Sequence, residues 1–456
     1  MMPNLVAYVA LIIWPLVTLA IFASMKPAKA VVWSLLAGYL LLPVKASFDF
    51  PGIPALDKTT IANLSTYVAA MIYTGGRSTR LPREWWLLAL MAAYLVSPMM
   101  TALNNRDALI YGSLILPSLQ NYDAFSAASY HALELIPFLL GYNLLRNPRH
   151  REDFLRIIVT AAIAYSILMI VEIRLSPQLH NWIYGFFPHF FDQQIRGGGF
   201  RPVVFLGHGL LVAIFAAMAI AACGALALRR QKILGLSFWV WSIYLLIILI
   251  LCKSFGALLL ALFALSFQII IKAPRANQKI SALVAIAVIL YPALRGADLV
   301  PAQWFADQVA AYSGERSGSF QFRIDNEDQL LAKANQRPWF GWGGYGRNRV
   351  YDEQKGTDLS ITDGTWIIVI GSAGWIGYLT TFGLICGPIV VSAWRNRAPR
   401  LQEPILNVIL LINVMDLIPN SSLGPITWLL AGSILIERSR KHQVQMDTSK
   451  NRLFLV

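Results

Sequence analysis

The sequence predicts an all-α protein, a polytopic integral membrane bundle of about 12–13 transmembrane helices with one long extramembrane loop. Three observations support this fold class. Of the 456 residues, 57% are hydrophobic and only 14% are charged, whereas a soluble domain is close to a quarter charged. The mean hydropathy is +0.56. The apolar residues also fall in continuous runs, many of them long enough to cross a bilayer as helices.

Thirteen apolar runs are predicted to be spans, and the third and twelfth of them are short. The first run has no basic segment before it and is followed by further spans, so we interpret it as a transmembrane helix and not as a signal peptide. The predicted bounds are 5–24, 30–45, 59–75, 85–104, 126–145, 155–174, 203–228, 234–252, 254–272, 280–295, 364–393, 403–418 and 424–437.

Basic residues lie mostly in every second turn between the spans. The turns after the odd-numbered spans, together with the C-terminal tail, hold 23 of the 38 Lys and Arg residues. Short cytoplasmic loops of membrane proteins carry such an excess. We therefore expect these turns and the C-terminus to be cytoplasmic, and the N-terminus to lie outside if the number of spans is odd. The net charge of +14 has the same explanation, so nucleic acid is not an expected partner.

This orientation places the polar segments 105–125, 175–202 and 296–363 on the outer face. The three cysteines lie in or beside apolar runs, so they indicate no disulfide framework and no metal site. The chain accordingly divides into N-terminal transmembrane helices with short loops (1–295), a long outer loop with an amphipathic helix (296–363), and C-terminal helices with a basic tail (364–456).

The second outer segment brings two arginines to the membrane boundary. Arg196 and Arg201 flank the glycines Gly197–Gly199, which allow a backbone to approach a ligand closely. Pro202 follows and suits the first turn of the next helix. Two guanidinium groups beside a helix N-terminus form a natural phosphate site. The alternative is that both arginines anchor the chain to lipid headgroups.

The long outer loop contains a predicted amphipathic helix. Phe320, Ile324, Leu331 and Ala334 share one helical face, which indicates a helix that lies on the membrane or caps a cavity. Arg323 is near the predicted start of this helix. Because a cation there opposes the helix dipole, we expect an anionic partner, for which Glu327, one turn further on, is the simplest candidate.

Glycines punctuate the rest of this loop and the next span. Those at 341, 343 and 346 match the spacing of a dinucleotide-binding motif, but that motif needs a strand–helix unit, so we interpret them as an aromatic-rich turn. Asp363 follows and is predicted to cap the next helix. Its carboxylate is also a candidate general base. Gly371, Gly374 and Gly377 in that span are expected to let a neighbouring helix pack closely.

Three further ionisable residues are candidates because of their positions in or beside spans. His131 and Glu134 are one turn apart in the fifth span, and intramembrane ionisable groups are often functional. We favour the interpretation that the two side chains bond each other and support packing. Lys253 stands at the outer end of the eighth span and is a candidate ligand of the same site.

The order of these motifs resembles one known family. An outer segment with Arg, Gly, Phe and Pro precedes a long penultimate loop that contains an arginine, Pro-x-x-Gly-x-Gly, a polar dyad, nine residues and Gly-x-x-Gly. Asp363–Gly364 supply the dyad, and Gly374–Gly377 supply the final motif. The chain resembles the O-antigen ligase and O-antigen or exopolysaccharide polymerase superfamily, which are bacterial membrane glycosyltransferases of the GT-C type. The motifs cover about 190–390 and the hydropathy covers the whole chain.

The resemblance implies an inverting enzyme that needs no metal or cofactor and acts in the bacterial inner membrane with its active site facing the periplasm. Its donor would be a glycan on undecaprenyl pyrophosphate, and its acceptor a glycan or a lipid-linked glycan. Membrane lipids and other polysaccharide assembly proteins are the further expected partners. Arg323 matches the long-loop arginine, and Arg201 or Arg196 matches the other pyrophosphate-binding arginine. Lys253 is a further pyrophosphate candidate, and Asp363 stands at the position of the base.

One departure from the family pattern matters. Asp363 replaces the histidine that ligases of the lipid A core carry, which favours polymerases over true ligases. A different class also remains open, namely a lipid-linked oligosaccharide flippase or another polysaccharide transporter. Transporters show repeats, broken helices and polar residues at mid-bilayer, whereas this sequence concentrates its charges and glycines at one outer face. A third reading is a structural partner of an envelope assembly system.

Overall fold

The apolar runs form α-helices, and the bundle is all-α as predicted. The computed structural model describes residues 2–50, 53–271, 273–301, 304, 314–395 and 403–435. These residues contain fifteen α-helices: α1 (Leu5–Ser24), α2 (Pro27–Leu41), α3 (Lys58–Thr74), α4 (Trp85–Leu103), α5 (Asn121–Leu144), α6 (Pro148–Leu175), α7 (Leu179–Tyr184), α8 (Gly209–Ala227), α9 (Phe238–Leu251), α10 (Phe255–Ile270), α11 (Pro274–Gly296), α12 (Gly314–Ala334), α13 (Thr365–Arg395), α14 (Glu403–Asp416) and α15 (Pro425–Ile434).

The lengths and compositions of these helices identify a multi-pass membrane protein. Within the described residues, six helices are long and apolar enough to cross a membrane, namely α1, α4, α6, α8, α11 and α13. Five more, α2, α9, α10, α14 and α15, contain apolar stretches of 10–17 residues. Every one of the thirteen predicted spans overlaps one α-helix. That all thirteen cross the bilayer stays a prediction.

Short antiparallel hairpins join some of the helices, and the sequence analysis did not predict them. A ladder of two or three residues is too short to show the alternating pattern of a strand. The hairpins pair β1 (Ser47–Phe48) with β2 (Leu56–Asp57), β3 (Leu109–Tyr111) with β4 (Leu114–Leu116), β5 (Ile195–Arg196) with β6 (Gly199–Phe200), and β7 (Lys232–Ile233) with β8 (Leu236–Ser237).

Helix α8 is the most buried of the six long apolar helices, and its neighbours are α6, α9, α10 and α14. It is rich in alanine, and small side chains let helices approach closely in a membrane protein. Its predicted start at 203 is wrong, because the helix begins at Gly209. Val204 and Gly207 have φ values of 49° and 89°, which a right-handed helix excludes. Pro202 therefore lies in the loop before the helix and not in its first turn.

The predicted outer segments meet at one end of the bundle. The amide of Asn4 donates to the carbonyl of Tyr184 at 3.0 Å, which places the N-terminus beside the second outer segment. Lys333 Nζ donates to the Tyr111 hydroxyl at 2.8 Å, which joins the long loop to the first outer segment.

The basic turns meet at the opposite end. Ion pairs there link turns that are distant in the sequence, and they are Lys29–Asp153 at 3.1 Å, Arg229–Glu152 at 2.9 Å and Arg146–Glu84 at 3.7 Å. These contacts hold the basic turns near one another. That these turns lie in the cytoplasm stays a prediction from the sequence.

Helix α13 is broken at Gly374, whose φ and ψ are 66° and −167°. The glycine-rich turn of the long loop docks at this break and bonds the freed backbone groups on both sides. The bonds are Trp342 N–H to Gly371 O (2.9 Å), Gly343 N–H to Ser372 O (2.8 Å), Trp375 N–H to Pro338 O (2.7 Å) and Ile376 N–H to Trp339 O (3.2 Å). A Cβ on Gly374 would lie 2.4 Å from the Trp339 carbonyl carbon. Gly374 thus receives a loop, where the sequence predicted close packing of a helix.

Candidate functional site

Arg196 is carried on the hairpin of β5 and β6. Gly197 and Gly198, with φ of 49° and 70°, form its two-residue turn, because such a turn needs two positive φ values. Their role is therefore to build the turn, and not to bring backbone to a ligand. Lys253 Nζ donates to the carbonyls of Arg196 and Gly197 at 2.6 and 2.9 Å. The lysine thus supports the hairpin that presents Arg196.

Arg201 follows this hairpin and is fully buried. Its amide donates to the Gln194 carbonyl at 2.8 Å. Among the described residues, none of its three guanidinium nitrogens has a hydrogen-bond partner, and neither does the buried side-chain amide of Gln194. A buried charge without a partner costs several kcal/mol, on the order of 3–5 kcal/mol where measured. Such a group calls for an anionic ligand or ordered water.

Glu172, at the end of α6, holds the backbone that follows Arg201. Its buried carboxylate accepts hydrogen bonds from the amides of Val203 and Val204 at 2.7 Å each, and from that of Leu179 at 2.9 Å. Val204 is β-branched and has a φ of 49°, a strained conformation that persists only where the surroundings enforce it. The sequence analysis missed this residue, because only the fold brings α6 to the loop.

Arg323 and Asp363 face each other across the site. Arg323 Nε lies 3.4 Å from Asp363 Oδ2, and the two side chains are 40% and 43% exposed. The expected anionic partner is therefore Asp363, and the expectation of an Arg323–Glu327 pair is wrong. Helix α12 begins at Gly314, so Arg323 lies in its middle. The predicted conflict with the helix dipole does not arise there, because the dipole acts within the first turn.

The amphipathic character of α12 is confirmed where its side chains are described. Ile324, Leu331 and Ala334 are buried, and the helix packs against α13. Phe320, the fourth predicted member of this face, has a side chain outside the described residues. Burial of this face fixes the side of α12 that presents Arg323.

Arg196 lies within electrostatic range of both Arg201 and Arg323. Burial, and then the charge of Arg196, lowers the pKa of Arg201 to about 10. Partial burial, and then the charge of Arg323, lowers the pKa of Arg196. Burial and the nearby arginines also lower the pKa of His208, the N-cap of α8, to about 4. Arg201 therefore stays charged near neutral pH, whereas His208 is neutral.

A cavity of about 240 Å³ adjoins Arg323 and Asp363. Most of its wall is apolar or aromatic, and the polar part consists of Arg323, Asp363, Asn326 and Glu327. Such a mixture suits a ligand with both a charged and an apolar part.

Glu327 is a second carboxylate on this wall, which the sequence analysis had considered only as a structural partner. Burial raises its pKa to about 7, against the opposing effects of Trp366, Arg295 and Arg323. A group with this pKa exchanges protons near neutral pH and is suited to act as a general base. The only sequence signal for it is the spacing of one helical turn from Arg323.

The predicted capping role of Asp363 is wrong. The Gly364 carbonyl accepts the first helical bond, from the Ile368 amide at 3.2 Å, so Gly364 is the cap residue and Asp363 precedes it. A Cβ on Gly364 would lie 2.1 Å from the Ile418 carbonyl oxygen, which explains the glycine. The carboxylate of Asp363 is thereby left to face Arg323.

His131 and Glu134 do not bond each other as favoured from the sequence. His131 Nδ1 contacts the Tyr94 carbonyl at 2.9 Å and its ring stacks on Tyr94 with centroids 4.0 Å apart. Glu134 Oε2 accepts from the Tyr94 hydroxyl at 2.6 Å. Both side chains are thus organised by a tyrosine of α4.

The guanidinium groups of the site suit an anion. No cluster of three or more His, Cys, Asp or Glu side chains within the described part of the chain could hold a metal ion. The three cysteines are buried and unbridged.

Comparison of the chain with protein-family models, with curated proteins and with solved structures finds no match.

The unpartnered charge predicts an unusual stability effect. Arg201→Met should leave the thermal melting temperature unchanged or raise it, because an apolar side chain replaces a buried charge without a partner. Arg347→Met is the matched control. Arg347 is equally buried, but its guanidinium donates to the carbonyls of Trp342, Asp107 and Pro117 at 3.1, 2.9 and 2.8 Å.

The Arg347 variant should lose at least about 1–3 kcal/mol, because its substitution leaves acceptors unsatisfied. Thermal melts of the purified variants in one detergent provide the measurement. An equal loss of stability in both variants would contradict the assignment of Arg201 as a charge kept for a ligand.

Proposed function

We propose that the protein is a membrane glycosyltransferase that polymerises or transfers a glycan carried on undecaprenyl pyrophosphate, at the periplasmic face of the bacterial inner membrane. The observation that carries this proposal is the buried guanidinium of Arg201, which lacks a partner among the described residues, beside the charges of Arg196 and Arg323. Guanidinium groups bind phosphate through paired donors and keep their charge at all physiological pH values.

The proposed reaction is a displacement at the anomeric carbon. The acceptor hydroxyl oxygen attacks that carbon, the bond from the carbon to the phosphate oxygen breaks, and the lipid pyrophosphate leaves with the electron pair. The hydroxyl proton passes to a carboxylate, for which Asp363 is the first candidate. The arginines stabilise the charge that develops on the leaving group, which is the largest contribution that such a site offers.

The pair of Arg323 and Asp363 couples donor binding to proton transfer in this proposal. In the structure the two side chains face each other at 3.4 Å. A bound pyrophosphate would attract the Arg323 donors away from Asp363, and the carboxylate would then be available to accept a proton. The apolar wall of the adjoining cavity suits the lipid end of such a donor.

The polymerase reading is preferred over the ligase reading. Asp363 stands where ligases of the lipid A core carry histidine, and this departure favours the polymerases. The general reaction is retained, because a carboxylate can also act as a general base.

A flippase for lipid-linked oligosaccharide is the second candidate, and the break in α13 at Gly374 favours it. Broken helices are typical of transporters, where they line a substrate path at the centre of the membrane. In this protein the break is filled by the backbone of residues 338–343. Because the freed groups bond this loop and not a cavity, we prefer the enzyme.

The outward orientation has a direct test. A reporter that is active only in the periplasm should be active when fused after Lys355, in the long loop, and inactive when fused after Arg230, in a basic turn, because basic short turns stay in the cytoplasm. The reverse pattern would move the arginine site to the cytoplasmic face and contradict the proposed donor supply.

The catalytic proposal is tested by a matched set of variants of the two carboxylates. Asp363→Asn keeps the shape of the side chain but cannot accept a proton, so the rate of transfer should fall by roughly two to four orders of magnitude. Glu327→Gln should retain most of the activity if Asp363 is the base. The measurement is glycan transfer from a purified lipid-pyrophosphate donor in detergent, with a thermal melt for each variant.

A pH profile separates the two carboxylates. If Glu327 is the base, the wild-type rate should fall as the pH drops below about 7, since the protonated acid cannot accept a proton, and Glu327→Gln should abolish this dependence.

Full activity of Asp363→Asn would exclude Asp363 as the base. Full activity of Arg323→Ala would contradict the phosphate site itself, whereas Arg323→Lys should restore little activity, because an ammonium group lacks the paired donors.

A further inference from the structure

A second cavity, of about 190 Å³, is lined in part by Leu206, which follows Arg201 by five residues. It is bounded by the N-terminal turns of α3 and α15 and by the first half of α5. Lys58 contributes an amine and Glu134 a carboxyl group to its wall, and Asn63 and Tyr130 contribute neutral polar groups. Because one basic and one acidic group balance each other, the wall suits a ligand that carries no net charge.

The polar groups of this wall have hydrogen-bonding capacity left over. The buried Oδ1 of Asn63 has no hydrogen-bond partner among the described residues, although Nδ2 of the same side chain donates to the Leu133 carbonyl at 3.1 Å. Lys58, nine-tenths buried, donates to the Phe205 carbonyl at 3.1 Å, and an ammonium group has three donors. Donors and acceptors therefore face the same small space.

Aromatic rings form much of the remaining wall. Trp428 is almost fully buried, and the rings of Tyr39 and Tyr130 line the same space. Rings of this kind offer an apolar face to a ligand and, in tyrosine, a polar edge. Paired donors and acceptors around an aromatic wall suit a neutral polyhydroxylated ring, whose hydroxyls both donate and accept and whose C–H faces are apolar.

The cavity is tied to the arginine site by two short segments of chain. Phe205, the acceptor for Lys58, follows Arg201 by four residues, which span at most about 14 Å. On the other side, Leu423 lines this cavity, and Pro419, four residues earlier, lines the cavity beside Asp363. A glycan chain that reacts at Asp363 could thus place another of its rings here.

We propose that this second cavity binds one neutral saccharide ring of the glycan, apart from the reaction centre. The assignment of this ring to the donor glycan or to the acceptor glycan rests on the proposed transferase function. The binding of a saccharide ring does not rest on it, because the cavity supplies the recognition by itself.

Direct binding is the first arm of the test. The protein is purified in a phosphocholine detergent, since glucoside and maltoside detergents would present the same ligand. Glucose, galactose, N-acetylglucosamine and rhamnose are then tested by saturation-transfer NMR and by titration. Wild-type protein should bind at least one of them, and Asn63→Leu should weaken that binding about tenfold, because it removes a hydrogen-bond partner and fills space.

Tyr130→Phe removes only a hydroxyl and should weaken binding about fivefold, the value of one hydrogen bond. Tyr244→Phe is the control, since its hydroxyl contacts Ser166 at 2.8 Å and does not line the cavity. Its binding should equal that of the wild type. The proposal would be overturned if the wild type bound none of the four sugars. It would also be overturned if Asn63→Leu and Tyr130→Phe both bound sugar as tightly as the wild type.

Kinetics are the second arm, and they separate the two sources of the sugar. With Tyr130→Phe, a raised KM for the lipid-linked donor assigns the ring to the donor glycan, and a raised KM for the acceptor assigns it to the acceptor. Sugar binding without any transfer activity would support the cavity and contradict the proposed function. Transfer with unchanged KM values for both substrates in Asn63→Leu and Tyr130→Phe would contradict the cavity and leave the proposed function intact.

Discussion

The buried, unpartnered charge of Arg201 is the constraint on which the functional interpretation of this protein depends. A guanidinium group that is removed from water and bonded to no acceptor lowers stability, so a fold that keeps one must compensate for it elsewhere. The backbone that follows Arg201 is held in place by hydrogen bonds. Glu172 accepts bonds from the amides of Val203 and Val204, and these bonds hold the strained conformation of Val204. An anion is the ligand that we propose for the charge of Arg201.

The rest of the site is assembled by elements that are distant in the sequence. Lys253 supports the hairpin that carries Arg196, and α12 presents Arg323 to Asp363. Asp363 is placed by α13, which is broken at Gly374 and filled there by the glycine-rich turn. The break allows the long loop to dock deep against the bundle, because backbone groups near a membrane must be satisfied within the protein.

The sequence predicted the helices well, because an apolar run in a membrane protein is long and its periodicity is not interrupted. Of the predicted site residues, Arg323 and Asp363 form a pair at 3.4 Å, and Arg196 lies within electrostatic range of Arg201 and of Arg323. That the four residues form one functional site stays a prediction. The sequence failed to predict features that depend on local backbone geometry or on distant contacts. The hairpins, the start of α8 and the cap at Gly364 are examples of the first kind. The partner of Arg323, the role of Glu172 and the shared partner of His131 and Glu134 are examples of the second, since spacing along the chain does not report them.

The most direct test of this account is a structure of the protein with a short polyprenyl pyrophosphate, such as geranylgeranyl pyrophosphate, determined by electron cryomicroscopy. The account predicts phosphate density within hydrogen-bonding distance, about 2.7–2.9 Å, of the Arg201 guanidinium, with Arg323 turned from Asp363 toward the same phosphates. Phosphate density bound elsewhere, with Arg201 still unpartnered and Arg323 still paired with Asp363, would contradict it.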